Sequence, residues 1–211
     1  MREIIVRTMD ETEVTPEALF ELRNAAYAQW EEAGLYVWTK NAPMERYFRH
    51  LSKSLVFVAH DTATGELLAM HTFRKDNQKD FIWGGSLAVA PMVKHEGIAS
   101  QMLQEEVKRF ITAGYRYLCG STAIPATWSV KWHLKNGYYI NGYEQIENRN
   151  YASYTFCKPI NLDIRHHPKD ILWLRPIAPL TARIQYIVSY IITRLKHSRK
   201  LSLLRRKLIR L

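Results

Sequence analysis

Lys94-His95-Glu96-Gly97-Ile98-Ala99 is the segment of this chain best suited to hold an anion. The apolar run 86–90 leads through Pro91 into a charged turn, and the amphipathic stretch 97–114 follows at once. The first amides of a helix have no partner inside it, and the helix dipole adds positive potential there. Gly97 carries no side chain, so a phosphate can approach the backbone. Ala99 keeps the next face open, and Lys94 adds a cation. The same residue types also suit a tight turn that binds nothing. Cys119 lies in a β-rich run with no basic neighbour or helix start to activate it, and reads as a core thiol and not a nucleophile.

The elements that must position this turn are written in the spacing of apolar residues. A strand over 3–9 precedes a helix with Thr15 as N-cap, Pro16 at its first position and Gly34 at its end. Leu19, Leu22, Ala26 and Trp30 share one of its faces. A short helix is expected over 41–53. Two β-rich runs flank Asp61-Thr62-Ala63-Thr64-Gly65, which has hairpin turn chemistry. The strand over 80–90 is interrupted by Gly84-Gly85, the mark of a bulge or a close backbone approach. In the helix that opens near Gly97, the residues Ile98, Met102, Val107 and Ile111 line one side, and Gly114 ends it. A strand over 115–124, a helix that stops at Asn136-Gly137, and closing strands over 138–147 and 150–160 complete the unit.

With 211 residues and 47% hydrophobic content the chain is long and apolar enough for one folded domain with an appendage. Two cysteines, Cys119 and Cys157, give no disulfide framework and no metal-ligand spacing, so no metal is expected. The start has no signal or transit pattern, and the run "IQYIVSYII" is too short to span a bilayer, so a cytoplasmic location is expected. The net charge of +10 is unevenly placed. Residues 1–159 hold 18 basic and 18 acidic side chains, whereas 160–211 hold 12 basic ones and only Asp163 and Asp170. The tail places Leu180, Ile184, Ile187, Ile191 and Leu195 at helical spacing, with a cationic opposite face. Such a helix can pack on its own domain or on a second copy, lie on an anionic membrane, or meet an acidic carrier protein. Nucleic acid ranks last, because the main domain is neutral.

Two motifs in order resemble the GNAT family of N-acetyltransferases. The family's signature is Arg or Gln, two residues, Gly, one residue, then Gly or Ala, after a strand and opening a long helix. Here Lys94, Gly97 and Ala99 fill it, with lysine departing from the usual first residue. Downstream, Trp132-His133, Lys135, Gly137 and Tyr138 match the family's next motif. The resemblance covers residues 3–158 and implies an α/β fold, a mixed, centrally splayed sheet flanked by helices. A GNAT-like acyltransferase domain would then occupy 1–159, and 160–211 would form a basic amphipathic helical extension.

The resemblance also implies the chemistry. An acyl group, in the first place from acetyl-CoA, would pass by direct attack to the primary amine of a small molecule or amino sugar. Backbone amides near Leu87, Ala88 and Val89 would hold pantetheine and the thioester carbonyl, and the amides of His95, Glu96, Gly97, Ile98 and Ala99, with Lys94 beside them, the pyrophosphate. The family usually places a tyrosine as general acid where this chain has His133, which becomes the candidate general acid; the neighbouring Tyr138 and Tyr139 could take that role instead. The central strands contain no acid, which leaves His71, Glu31, Glu32 or a water as the base. Trp30, Tyr36, Trp38, Tyr47 and Phe48 either shape an acceptor pocket or belong to the core. No carboxylate cluster marks a polycationic acceptor. Long-chain acyl transfer from acyl-CoA or a carrier protein near a membrane, and a non-catalytic acyl-CoA-binding module, are the alternatives.

Overall fold

The computed structural model describes residues 2–35, 44–76, 80–145 and 149–160. The expected basic extension therefore lies outside the described residues, as do Tyr36 and Trp38. The chain order is β1 (Ile4–Thr8), α1 (Pro16–Glu32), α2 (Met44–Leu51), β2 (Leu55–Asp61), β3 (Leu67–Lys75), β4 (Phe81–Val89), α3 (Ile98–Thr112), β5 (Tyr117–Ala123), α4 (Thr127–Lys135), β6 (Tyr139–Gln145) and β7 (Ala152–Pro159). The strands form one mixed sheet in the order β1-β2-β3-β4-β5-β7-β6.

The apolar runs of β2 and β3 are nearly continuous because both faces of the sheet are covered. Val56, Val58 and Met70 pack with Leu19, Ala26, Tyr47 and Leu51 under α1 and α2. Their strand neighbours Phe57, Ala59 and Phe73 point the other way, onto Ile98, Met102 and Phe110 of α3. Thr15 caps α1 as expected, its hydroxyl accepting from Ala18 N at 3.2 Å. Asp61 builds the hairpin turn by accepting from the amides of Ala63 and Thr64. The face of α3 differs from its apolar periodicity. The buried stripe is Ile98, Met102, Leu103, Glu106 and Phe110, and Ile111 is 39% exposed.

Two features of β4 open the sheet. It pairs in parallel with β5 over three positions only, Phe81↔Tyr117, Ile82↔Leu118 and Trp83↔Cys119, after which the strands part. Its register against β3 shifts between His71↔Leu87 and Phe73↔Gly84, a bulge in which Gly85 and Ser86 stand opposite Thr72. A Cβ on Gly85 would stand 2.5 Å from Thr72 Oγ1, and that oxygen accepts from Ser86 N at 2.9 Å. Gly85→Ala is therefore expected to cost about 1–3 kcal/mol. Chemical denaturation checks it, and Gly85→Ala combined with Thr72→Ala, which removes the obstructing oxygen, should recover part of the loss.

Candidate active site

The opening between β4 and β5 is a cleft of about 640 Å3 that runs from the first turn of α3 to α4. At its α3 end His95 and Gly97 both take left-handed backbone conformations, with φ of 70° and 85°. Nothing stands within 4 Å of a Cβ placed on Gly97, so its φ and not crowding calls for glycine. The Gly97 carbonyl accepts from Ser100 and Gln101 at 3.0 Å. Among the described residues the amides of Gly97, Ile98 and Ala99 have no protein acceptor. Lys94 lines the cleft and reaches Gln29 Oε1 of α1 at 3.2 Å. Toward β3, Ser86 N donates to Thr72 Oγ1 and Ala90 N to Leu68 O. Strand alternation then turns the amides of Leu87 and Val89 to the open side.

Leu87, Val89, Lys94, His95, Gly97, Ile98, Ala99 and His133 thus line one cleft, as their assignment to one site requires. Two residues of that set do not. Ala88 faces the opposite side of the sheet, in the core under α1, because it alternates with Leu87 and Val89. The Glu96 side chain turns outward to Arg2 at 2.9 Å, and its amide donates to Val93 O at 3.4 Å.

Two histidines line the cleft where the strands part. His71 on β3 is buried and holds its Nδ1 3.0 Å from Glu106 Oε2 of α3. Its Nε2 lies 3.1 Å from where a Gly84 Cβ would stand. His133 Nε2 lies 4.0 Å from the corresponding point on Gly120. The His133 ring stacks on Phe156 with centroids 4.5 Å apart, and Nδ1 is 2.8 Å from Ser129 O. A carbonyl only accepts, so Nδ1 carries the proton and Nε2 is an acceptor.

Burial pulls the His133 pKa down to about 4, the Ser129 bond opposing and nearby His71 adding to the shift. At neutral pH His133 Nε2 is thus an acceptor at rest, and it could act as general acid only after taking up a proton. Tyr138 is buried at the cleft, its hydroxyl pKa raised well above normal first by burial. Tyr139 points away, against Cys157. Glu31 and Glu32 line neither this cleft nor the pocket beyond it. Cys119 Sγ donates to Cys157 Sγ at 3.1 Å, and that bond with burial pushes the Cys119 thiol pKa up, as a core thiol requires.

The His133 shift has a measurable consequence. Its folded value of about 4 lies below the unfolded value of about 6.5. As pH falls through that window the unfolded chain takes up a proton that the folded chain excludes, so stability declines by at most about 3 kcal/mol. His50 and His60 are shifted in the same direction by burial. The His133 share is read as the difference between wild type and His133→Phe, whose loss between pH 6.5 and 4 should be shallower. Equal slopes would contradict a buried neutral His133.

The opposite face of the sheet holds residues that the sequence reading passed over. Tyr27 of α1 lines the cleft, with its hydroxyl against the Ser86 side chain and the Leu87 amide; burial raises its pKa. It also lines a second pocket of about 220 Å3, together with Arg23, Arg74, Arg149, Gly84 and Gly85. Trp30 belongs to both cavities, whereas Tyr47 is core and Phe48 packs beside it. Arg23 is 3% exposed. Its place on the stripe Leu19, Arg23, Ala26, Trp30, at alternating steps of four and three, was the available signal.

The sequence matches the acetyltransferase (GNAT) family over residues 17–138. The chain belongs to that family. This GNAT protein is an acyl-CoA-dependent N-acetyltransferase in the general sense that membership carries. Its sheet, split between β4 and β5, has the family fold. The ribosomal-protein-S18-alanine N-acetyltransferase from Escherichia coli is similar at 12% identity and a TM-score of 0.60, over 76% of this chain and 96% of that one. The GNAT family acetyltransferase from Elizabethkingia anophelis with acetyl-CoA bound is similar at 15% identity and a TM-score of 0.56, over 74% and 97%. The IAA acetyltransferase from Bacillus cereus shares 15% identity and a TM-score of 0.54, over 74% and 99%. No curated relative matches the sequence. Among the described residues of the GNAT protein no helix is long and apolar enough to cross a membrane.

Proposed function

We propose that the protein transfers the acetyl group of acetyl-CoA to the primary amine of a small molecule by direct attack. The observation that carries this reading is the split in the sheet. It joins unpartnered amides at the start of α3 to a second pocket on the opposite face, with Tyr27, Gly84 and Gly85 lining both. The residues present fit the donor. Three amides without acceptors suit a pyrophosphate, and Leu87, Val89, Ile98 and Trp132 offer apolar walls to a pantetheine arm. When bound, acetyl-CoA supplies the acyl group as an activated thioester.

The chain's own groups then have separable tasks. The amide of Val89 faces the opening and can polarise a carbonyl oxygen there, while that of Leu87 donates to the Tyr27 hydroxyl. His133 Nε2 can accept a proton beside Gly120, and His71 Nε2 is held beside Gly84 by the Glu106 carboxylate on its other nitrogen. The test is thiol release from acetyl-CoA over a panel of primary amines, run beside a calorimetric titration with acetyl-CoA alone. Binding, with release on at least one amine, is expected. Absent binding would overturn the donor site; binding without release on any amine would overturn the transfer.

A further inference from the structure

We propose that the second pocket recognises an anion, so that the acceptor carries a carboxylate beside its amine, as an amino acid does. Placing the amine at the thioester rests on the transfer reading above; the anion site stands on Arg23. That guanidinium is buried on the inner face of α1, and its Nε and Nη1 have no hydrogen-bond partner. It lies 4.6 Å from the centre of the Tyr47 ring, and the groups that act on its charge are the hydroxyls of Tyr27 and Tyr47, not a carboxylate.

A buried cation with unmade hydrogen bonds is costly, and its cost is offset when an anion completes it. The rest of the pocket has the same sign. Arg74 and Arg149 line it, and among the described residues no Asp or Glu does. Its volume of about 220 Å3 is below the ~300–1,000 Å3 of sites for drug-sized ligands. It suits a molecule of amino-acid size, and the planar fork of a guanidinium matches the two oxygens of a carboxylate. The pocket opens onto the cleft at Gly84 and Gly85, so an anion at Arg23 leaves the amine end of a short acceptor near the split.

The test compares matched acceptors in the thiol-release assay: an amino acid, its primary amide, the decarboxylated amine and the aminophosphonate. The amino acid should exceed its amide in kcat/KM at least about tenfold. Arg23→Met, which keeps contact with Tyr47, should bring that ratio within about threefold, with acetyl-CoA affinity unchanged. Arg23→Lys serves where Arg23→Met fails to fold, and should keep part of the preference. Preference for the aminophosphonate over the amino acid would overturn the carboxylate and keep an anion. Calorimetry with the matching 2-hydroxy acid, which has no amine, reads the site without transfer. Binding to wild type and loss in Arg23→Met supports it even if no amine is acetylated. Equal turnover of acid and amide, or no 2-hydroxy acid binding, would overturn it.

Discussion

His71→Leu should destabilise the protein by about 3–5 kcal/mol at neutral pH, while Glu106→Gln costs about 1 kcal/mol. The two residues are one pair, but their removal is not symmetric. Glu106 is 0% exposed and holds His71 Nδ1 at 3.0 and 3.2 Å from its two oxygens. Taking away the imidazole leaves a carboxylate in the core, between α3 and the sheet, with its partner gone. Taking away only the charge of Glu106 leaves an amide whose oxygen still accepts from Nδ1. In a domain of this size the larger loss corresponds to about 6–20 °C in Tm. Replacing both by apolar residues, His71→Leu with Glu106→Met, should recover most of it, since well-packed apolar substitutes for a buried pair are often neutral or better. Denaturant titration of the three variants decides. A His71→Leu loss no larger than that of Glu106→Gln would mean that ring volume, and not an orphaned carboxylate, sets the cost.

The pair also shows where the sequence stops being legible. The strands, the Thr15 cap, the Asp61 turn and the Gly97 corner are local: each follows from residue types within a few positions, and the structure has them where expected. The buried ionic and polar groups are not local. Counting apolar residues on α3 selects Val107 and Ile111, because such a count passes over a charged residue such as Glu106. In the fold the stripe passes through Ile98, Met102, Glu106 and Phe110 at steps of four, and the acid is accepted inside because His71 arrives from β3 to meet it. Arg23 repeats this on α1, where Leu19 and Ala26 flank it on the buried face. A charged residue in register with an apolar stripe is the legible half of such a site. Its partner comes from another element, or from a ligand, and only the assembled sheet shows which. The Ala88 side chain lies outside the cleft for a simpler reason: a strand cannot turn three successive side chains to one side.

Gly97→Val should raise the Kd for acetyl-CoA about a hundredfold or more, with only about 1–2 kcal/mol lost in stability. At φ of 85° a β-branched residue is strained, and the corner relieves that strain by turning toward an extended conformation. There is room for the side chain, since nothing stands within 4 Å of the Cβ position, so folding survives. What the turn loses is the common direction of the amides at Gly97, Ile98 and Ala99. Each amide bonded to a charged phosphate oxygen is worth about 1.5–3 kcal/mol, so losing two exceeds a hundredfold in affinity. Gly65 is the control, because it too has a positive φ, 73°, and nothing within 4 Å, but it closes the β2–β3 hairpin away from the cleft. Gly65→Val carries the same kind of strain and should leave acetyl-CoA affinity within about twofold of wild type. Calorimetric titration of both variants, with their denaturation midpoints, separates a lost cradle from a weakened fold. Wild-type affinity in Gly97→Val would refute the role given to those amides, and a parallel loss in Gly65→Val would assign the effect to stability.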